Sequence, residues 1–401
     1  MKRITYKNIA SPKGFKATGI HCGVKHKKKD LALLISEVPA SVAGVFSTNA
    51  IQGAPLVVTK EVVYTTKKMQ AIIINSGIAN SCTGKQGVID AYTMQEKTAQ
   101  HLGISPALVG VASTGVIGEA MKMEPVLSGI KELHPIDELE GAIQFSQAIM
   151  TTDTVTKDTA YKTIIDGKEI MIAGTAKGSG MIEPNMATML AFITTDANIE
   201  SDHLQAALKS ITDVTFNAIT VDGDTSTNDM VVVMANGLAE NKTLTPAHPD
   251  WDAFVDTLHV VSQDLAKMIA KDGEGATKLI EVEVQGAMTD AEARMIAKTV
   301  VGSPLVKTAV FGSDANWGRI IAAVGYSGAT LDPNAIKILI GTTPVVENGE
   351  PVYFSEEQLH LYLKQAEVKF VIELNQGNGQ GTAWGCDLTY DYVQINATYR
   401  S

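Results

Sequence analysis

An α+β fold is what this 401-residue chain predicts, and three observations carry that expectation. Short apolar runs, often β-branched, recur along the whole length. Segments with helical start signals lie between them. The two kinds do not alternate strictly, which argues for sheets covered by helices rather than a doubly wound dinucleotide fold. The length allows two or three domains of ~100–200 residues, or one large one.

The strand-like runs fall at 31–35, 71–74, 109–112, 170–173, 189–193, 230–234, 280–284, 305–311, 336–340 and 368–374. Helix starts are marked by capping boxes at Thr289-Asp-Ala-Glu292 and Ser355-Glu-Glu-Gln358, where a hydroxyl and an acid or amide can satisfy orphan N–H groups. Ser201-Asp-His opens a helix through 204–211. The stretch 253–270 carries apolar residues at three- and four-residue spacing and ends at Gly273.

Composition excludes several function classes. Hydrophobic residues are 45% and charged residues 19%, which is enough for a sizeable core. The net charge of −11 makes a nucleic-acid partner a poor expectation. The run His26-Lys-Lys-Lys29 is too short to change that and reads as a solvated loop. No apolar run reaches the ~18–20 residues of a membrane helix, and Met1-Lys-Arg-Ile-Thr-Tyr6 opens polar, so a cytoplasmic protein is expected. Cys22, Cys82 and Cys386 are odd in number and far apart, which suits a reducing compartment; Cys22 and Cys82 read as structural. The eight histidines form no HxxH or HxH pattern, so no metal site is expected. The 34 glycines, many of them clustered, are where function is to be sought.

The loop Gly174-Thr-Ala-Lys-Gly-Ser-Gly180-Met-Ile-Glu-Pro-Asn-Met-Ala-Thr188 runs directly into the apolar strand 189–193. A hydroxyl residue heading a buried strand, behind small Ala187 and a glycine loop, suits an autoprocessing nucleophile. The hydroxyl must attack the preceding carbonyl through a strained turn that glycine permits. After an N→O acyl shift and hydrolysis, Thr188 would carry a free α-amine. With an unperturbed pKa of ~7.7–8.0, that amine can serve its own hydroxyl as base. By spacing alone, a glycine loop leading to a threonine-headed strand is also an ordinary loop.

The segment Lys177-Gly-Ser-Gly-Met-Ile-Glu-Pro-Asn-Met-Ala-Thr188 closely resembles the cleavage and nucleophile motif of the ornithine acetyltransferase (ArgJ, glutamate N-acetyltransferase) family. Other stretches match in order. They are Ala43-Gly-Val-Phe46 with Thr48-Asn49, Asn75-Ser-Gly-Ile-Ala-Asn-Ser-Cys-Thr-Gly84 and Ala112-Ser-Thr-Gly-Val-Ile-Gly118. Met150-Thr-Thr-Asp-Thr154, Asp222-Gly-Asp-Thr-Ser-Thr-Asn-Asp229 and Lys271-Asp-Gly-Glu-Gly-Ala276 follow. Phe311-Gly-Ser-Asp-Ala-Asn-Trp-Gly-Arg319 and Cys386-Asp-Leu-Thr-Tyr-Asp-Tyr-Val-Gln-Ile-Asn396 close the series. The resemblance spans essentially the whole chain.

What the resemblance implies is specific. The fold would be that shared with the DmpA aminopeptidases, Ntn-hydrolase-like but topologically distinct. Self-cleavage between Ala187 and Thr188 would give an α chain of residues 1–187 and a β chain of residues 188–401, one interwoven catalytic unit assembled as an α2β2 heterotetramer. The reaction would move an acetyl group from N2-acetylornithine to glutamate through an acetyl-threonine, in the cyclic route of arginine biosynthesis. No cofactor is implied, with acetyl-CoA an additional acetyl donor in some members.

The resemblance also assigns residues. Thr188 is the nucleophile. Thr114 and Gly115 form the oxyanion hole; the residues agree, because 109–112 reads as a strand ending in a glycine turn where the Gly115 N–H and Thr114 hydroxyl can point outward. Lys177 and Thr151 are carried over as substrate contacts, and a cation beside a site for an amino-acid carboxylate is physically sensible. The chain departs from the family pattern just after, reading Thr154-Val-Thr-Lys157 where an arginine or proline is expected nearby. Glu274, between two glycines, lies at the substrate in the family; its charge suits either the ornithine side-chain ammonium or the Thr188 amine. Asn396 and the terminal Ser401 complete the set, anchored by a segment that alternates in strand fashion before Asn396.

Two rival chemistries are weighed. Asp222-Gly-Asp-Thr after an apolar run resembles the strand-end signature of Mg²⁺-dependent aspartyl-phosphate phosphatases, although it falls at mid-chain. A same-fold amidase or aminopeptidase would deliver the acyl group to water. A non-catalytic binding protein would retain an intact chain.

Overall fold

The computed structural model describes residues 1–5, 7–183 and 189–398. It is an α+β structure, as expected, with two sheets and helices packed on them. Contacts divide it into two compact units. The first comprises Met1–Gly178, Asn185–Asp213 and Thr225–Leu265; the second comprises Ser179–Pro184, Val214–Asp224 and Ala266–Ser401. Both units draw on both sides of position 187, so the division by contacts is not the division of the expected chain cut.

The first unit holds a nine-stranded sheet of β1 (Lys2–Arg3), β2 (Phe15–Ile20), β3 (Leu31–Phe46), β4 (Lys68–Ile78), β5 (Val109–Val116), β6 (Lys157–Ile165), β7 (Lys168–Lys177), β8 (Leu190–Thr195) and β9 (Met230–Ala235). Its order is β1-β6-β7-β8-β9-β3-β4-β5, with β2 also on β3. β8–β9 and β4–β5 are parallel; the other pairs are antiparallel. β3 spans 16 residues because it serves three partners, β2 and β4 along its first part and β9 along its last. Leu31–Ile35 pairs with β4, the register shifts before Ala40, and Ser41–Phe46 pairs with β9. Pro39 sits in that shift, where its missing N–H breaks no ladder.

Helices α1 (Ala54–Glu61), α2 (Gly84–Leu102), α3 (Met123–Glu132) and α4 (Leu139–Ile149) belong to this unit. β8 and β9 are buried at every residue, which explains their unbroken apolar sequence: a strand covered on both faces need not alternate. α4 lies on β2 and β3. Its Phe145 meets Phe192 of β8 edge-to-face, centroids 5.8 Å apart. Such a pair adds ~0.5–1.5 kcal/mol beyond its buried area. α5 (Ser201–Val214) starts at the predicted Ser201, and α6 (Trp251–Lys271) covers the predicted 253–270.

The second unit holds a six-stranded sheet of β10 (Leu279–Ala287), β11 (Lys337–Ile340), β12 (Thr343–Glu347), β13 (Glu350–Pro351), β14 (Glu367–Glu373) and β15 (Gly379–Cys386), in the order β13-β12-β11-β14-β10-β15. α7 (Asp290–Gly302) packs on β10 and β15. Its cap is the predicted one: Thr289 Oγ1 accepts from the Glu292 N–H at 3.2 Å. α8 (Pro304–Phe311), α9 (Trp317–Gly325), α10 (Glu356–Leu363) and α11 (Tyr390–Ala397) complete it. Ser355 caps α10 by accepting from the Gln358 N–H at 3.3 Å, as predicted.

Two readings are corrected. Residues 305–311 form a helix, not a strand. Ser303 accepts from the Val306 N–H and Pro304 stands at the first helical position, a start signal that outweighs the β-branched residues. The segment before Asn396 is also helical. Its period-2 appearance spans too few residues to exclude a helix, and Thr389 with Asp391 suits a helix start.

Candidate active site

Thr188, Ala187 and Ser401 lie outside the described residues. The structure therefore speaks to the neighbours of the expected nucleophile and to the remaining candidates, unit by unit.

In the first unit, Thr114 and Gly115 sit within β5 rather than in a turn after it, correcting the expected geometry. In the parallel β4–β5 ladder, Gly115 pairs with Gly77 and the register shifts at once beyond them. Both glycines have left-handed φ, +129° and +116°. A Cβ on Gly115 would lie 2.2 Å from the Gly77 carbonyl carbon, so the two backbones approach as only glycine allows.

Buried neutral groups hold this bulge. Asn75 Nδ2 donates to the Ile78 carbonyl at 2.9 Å, and Ser113 Oγ donates to Asn75 Oδ1. Asn228 Nδ2 donates to the Ser113 carbonyl at 3.0 Å and also to the Ala79 carbonyl. The peptide just before Thr114 is thus tethered from the start of β9. Thr114 is 6% exposed. Rigid N–H and O–H donors on a fixed backbone are what a developing oxyanion requires.

Thr151 and Lys177 converge on one carboxylate. The Thr151 N–H donates to Asp153 Oδ2 at 2.9 Å. The N–H of Gly178, next to Lys177, donates to Oδ1 at 2.7 Å. Lys157 Nζ donates to the same Oδ1 at 2.6 Å, and both side chains of this ion pair are wholly buried. Burial alone would raise the Asp153 carboxyl; Lys157 and Lys177 outweigh it and hold the group below the usual range. Lys157, the last residue of the stretch Thr154–Lys157 that departs from the family pattern, is therefore the internal partner of the Thr-Thr-Asp motif.

Two more ionisable groups gather here. Lys25 Nζ donates to the Met150 carbonyl at 2.5 Å and the Lys29 carbonyl at 3.1 Å. Burial chiefly brings Lys25 down to about 8, against Asp30. Asp229 is buried immediately before β9, and its Oδ2 has no hydrogen-bond partner among the described residues. Burial pushes its carboxyl well up, with Lys177 and Ser226 pulling the other way. The Met230 N–H donates to the Met189 carbonyl at 2.9 Å, so Asp229 lies level with the residue that follows Thr188.

In the second unit, Glu274 and Asn396 come together. Glu274 is 7% exposed in the turn after α6, and Asn396 Nδ2 donates to its Oε2 at 2.8 Å. The Glu274 N–H donates to the Ser179 carbonyl at 2.9 Å. A Cβ on Gly180 would lie 2.4 Å from the Glu274 carboxylate, so the expected processing loop runs directly across this acid. α11 is pinned by Thr389 Oγ1, which donates to the Gly275 carbonyl at 2.7 Å. Burial first, then Asp222 and Glu274, raise the Tyr392 hydroxyl.

Asp222, the residue behind the phosphatase rival, has a different occupation. Its two carboxylate oxygens accept from the Met181 and Ile182 N–H groups at 2.7 and 2.8 Å, clamping the loop that leads toward residue 187. The Cys22 thiol is pushed up to about 12 by burial and Asp30, and Cys386 is raised by burial, so neither is poised as a nucleophile.

Sequence reasoning missed Asp153, Lys157, Asn228, Asp229 and Lys25 as site neighbours. Asn228 and Asp229 were visible only as the closing residues of the family-like stretch Asp222–Asp229, with no role attached to them. Lys157 appeared only within the stretch Thr154–Lys157 that departs from the family pattern.

The ArgJ family's sequence profile matches residues 16–401. The "Arginine biosynthesis bifunctional protein ArgJ" of Halalkalibacterium halodurans is 59% identical over 395 residues, covering 98% of this chain and 96% of that protein. The protein of the same name from Geobacillus kaustophilus is 57% identical over 393 residues, covering 98% and 96%. A crystal structure of the Bacillus halodurans "Arginine biosynthesis bifunctional protein argJ" superposes with a TM-score of 0.52 at 64% identity, covering 53% of this chain and all of that one. With a profile match over nearly its full length and relatives this similar, the chain belongs to the ArgJ family.

Proposed function

We propose that this chain is an acetyltransferase of arginine biosynthesis that moves an acetyl group from N2-acetyl-L-ornithine to L-glutamate. Membership of the ArgJ family over residues 16–401 carries the reading. The glycine-bulged β4–β5 ladder supports it, because it offers fixed donors beside Thr114 and Gly115.

In this reading the precursor cuts itself between Ala187 and Thr188. Thr188 Oγ then attacks the acetamide carbonyl while its own α-amine takes the hydroxyl proton. The Thr114 hydroxyl and Gly115 N–H stabilise the tetrahedral oxyanion. The intermediate collapses, the C–N bond breaks, and the amine returns the proton to departing ornithine. The glutamate α-amine next attacks the acetyl-threonine ester, releasing N-acetylglutamate and restoring Thr188. Lys177, Thr151, Glu274, Asn396 and Ser401 bind substrate, Glu274 answering a cationic group. No metal or organic cofactor enters this sequence.

The cut would leave chains of 187 and 214 residues that assemble as α2β2. The 53% of this chain covered by the whole Bacillus halodurans argJ chain supports the cut, since residues 188–401 are the same share of the length. A cytoplasmic location fits a biosynthetic enzyme, and no described helix is long and apolar enough to cross a membrane. The relatives' names carry the word bifunctional, which supports a second activity with acetyl-CoA as acetyl donor.

The test uses purified enzyme with N-acetylornithine and glutamate. Acetylglutamate should form in step with ornithine; acetate in its place would convert the reading to an amidase. Acetylglutamate from acetyl-CoA without acetylornithine would establish the second activity. Thr188→Ala should remain a single 42.6 kDa chain and lose activity by at least about 10³-fold. An intact, active wild-type chain would overturn the nucleophile assignment.

A further inference from the structure

We infer that Asp153 is a positioning residue that holds the Thr151 arm and the Lys177 arm in one substrate-binding geometry, with Lys157 as its buried counter-charge. The inference rests on the proposed substrate contacts of Thr151 and Lys177.

Asp153 stands in the link after α4, and its carboxylate joins that link to the start of β6 and, 25 residues on in sequence, to the end of β7. Thr151 stands in the link after α4, Lys157 begins β6, and Gly178 follows the last residue of β7. β6 and β7 pair with Lys157 opposite Ala176, which brings the lysine and the Lys177–Gly178 peptide to the same end of the hairpin. The link after α4 has no ladder to fix it. Within it the Thr151 N–H is bound to Asp153 Oδ2, and Lys25 Nζ holds the Met150 carbonyl at 2.5 Å, so the bond from the Gly178 N–H to Asp153 Oδ1 is what couples Thr151 to the end of β7. With Gly178 and Lys157 both on Oδ1, each oxygen of the carboxylate serves a different arm.

Energetics argue against a merely stabilising role. Removing two charges from water costs several kcal/mol per ion, and buried pairs are often matched by apolar residues of similar volume. What an apolar pair cannot supply is two acceptor oxygens aimed at two backbone N–H groups. A misplacement of ~1 Å at a binding group costs ~10²-fold in catalysis, so fixing both arms has functional weight.

The deciding variant is the double substitution Asp153→Asn with Lys157→Met. It removes both charges and one acceptor while keeping volume. It should fold, self-cleave, and show a KM for N-acetylornithine raised by ~10–100-fold with kcat within ~3-fold. A folded, cleaved double variant with wild-type KM overturns the inference, as does a fall in kcat at unchanged KM. If the double variant does not fold, Asp153→Glu keeps the charge pair and displaces the oxygens by one methylene. It should raise KM at near-wild-type melting temperature, and an unchanged KM overturns the inference. Lys177→Met and Thr151→Ala separate the underlying reading. If these leave KM unchanged, the substrate-contact reading fails. If they raise it and the Asp153 variants do not, only the positioning role fails.

Discussion

In the first unit Gly115 meets Gly77 backbone to backbone, and the groups around them are amides and hydroxyls: Asn75, Ser113 and Asn228. In the second unit Gly180 meets a carboxylate, and the groups around it are acids and a phenol: Glu274, Asp222 and Tyr392. Glycine does different work in each. At Gly115 it lets two strands pinch, so that donors stand at fixed positions without a net charge. At Gly180 it lets a chain segment pass against a buried acid. The contrast teaches how one enzyme can meet two needs. A negative charge that exists only during reaction is best met by rigid neutral dipoles. A permanent positive charge on a substrate or on a chain terminus is best met by a carboxylate.

Gly115→Ala breaks the first half of the comparison outright. The new methyl collides with the Gly77 carbonyl and requires an unfavourable φ. We expect kcat to fall by at least about 100-fold, measured on whatever fraction remains folded by circular dichroism. Activity near wild type would show that the pinch is not needed.

Glu274→Gln tests the second half while sparing its structure, since the glutamine oxygen can still accept from Asn396 Nδ2. Loss of the charge should raise KM for N-acetylornithine by ~10–100-fold at nearly constant melting temperature. Asn396→Ala should have a smaller effect, a KM rise of ~3–10-fold, because it removes one hydrogen bond and leaves the charge. If Asn396→Ala proved the more damaging, geometry rather than charge would rule this unit.

The smallest effect concerns Lys25 in the first unit. Burial lowers it to about 8 from its usual 10.5, so the fold disfavours its charged form. The sign follows. The destabilisation is fully present below about pH 8 and fades as pH rises toward the unfolded value near 10.5. Lys25→Met should flatten the rise in stability between pH 8 and 10, a change of ~2–4 °C in melting temperature across that window. An unaltered slope would place the titration elsewhere.

The strands at 31–35, 71–74, 109–112 and 230–234 were legible because β-branched apolar runs of that length are common in sheets covered on both faces. The helices at Thr289 and Ser355 were legible because a capping hydroxyl is a local signal. Residues 305–311 misled because their β-branched composition competes with a Ser-Pro start that carries less visual weight. The stretch before Asn396 misled because period 2 and period 3.6 cannot be separated over so few residues. At the site, motifs placed Thr114, Gly115, Lys177, Thr151, Glu274 and Asn396 among the candidates. They did not reveal Asn228 behind the oxyanion strand or Asp153 between the two substrate arms, since those links join residues 115 and 25 positions apart.

By itself the sequence determined the α+β class, the family and the candidate residues, because periodicity, caps and motifs are local and survive in a string of letters. Tertiary structure alone decided that Gly115 works inside a strand by pinching against Gly77. It alone decided that Asp222 clamps a loop and that Lys157 neutralises Asp153. Each depends on which distant groups a buried atom must satisfy. Burial makes an unpaired polar group costly, so the fold had to find those partners, and no local spacing records which ones it found.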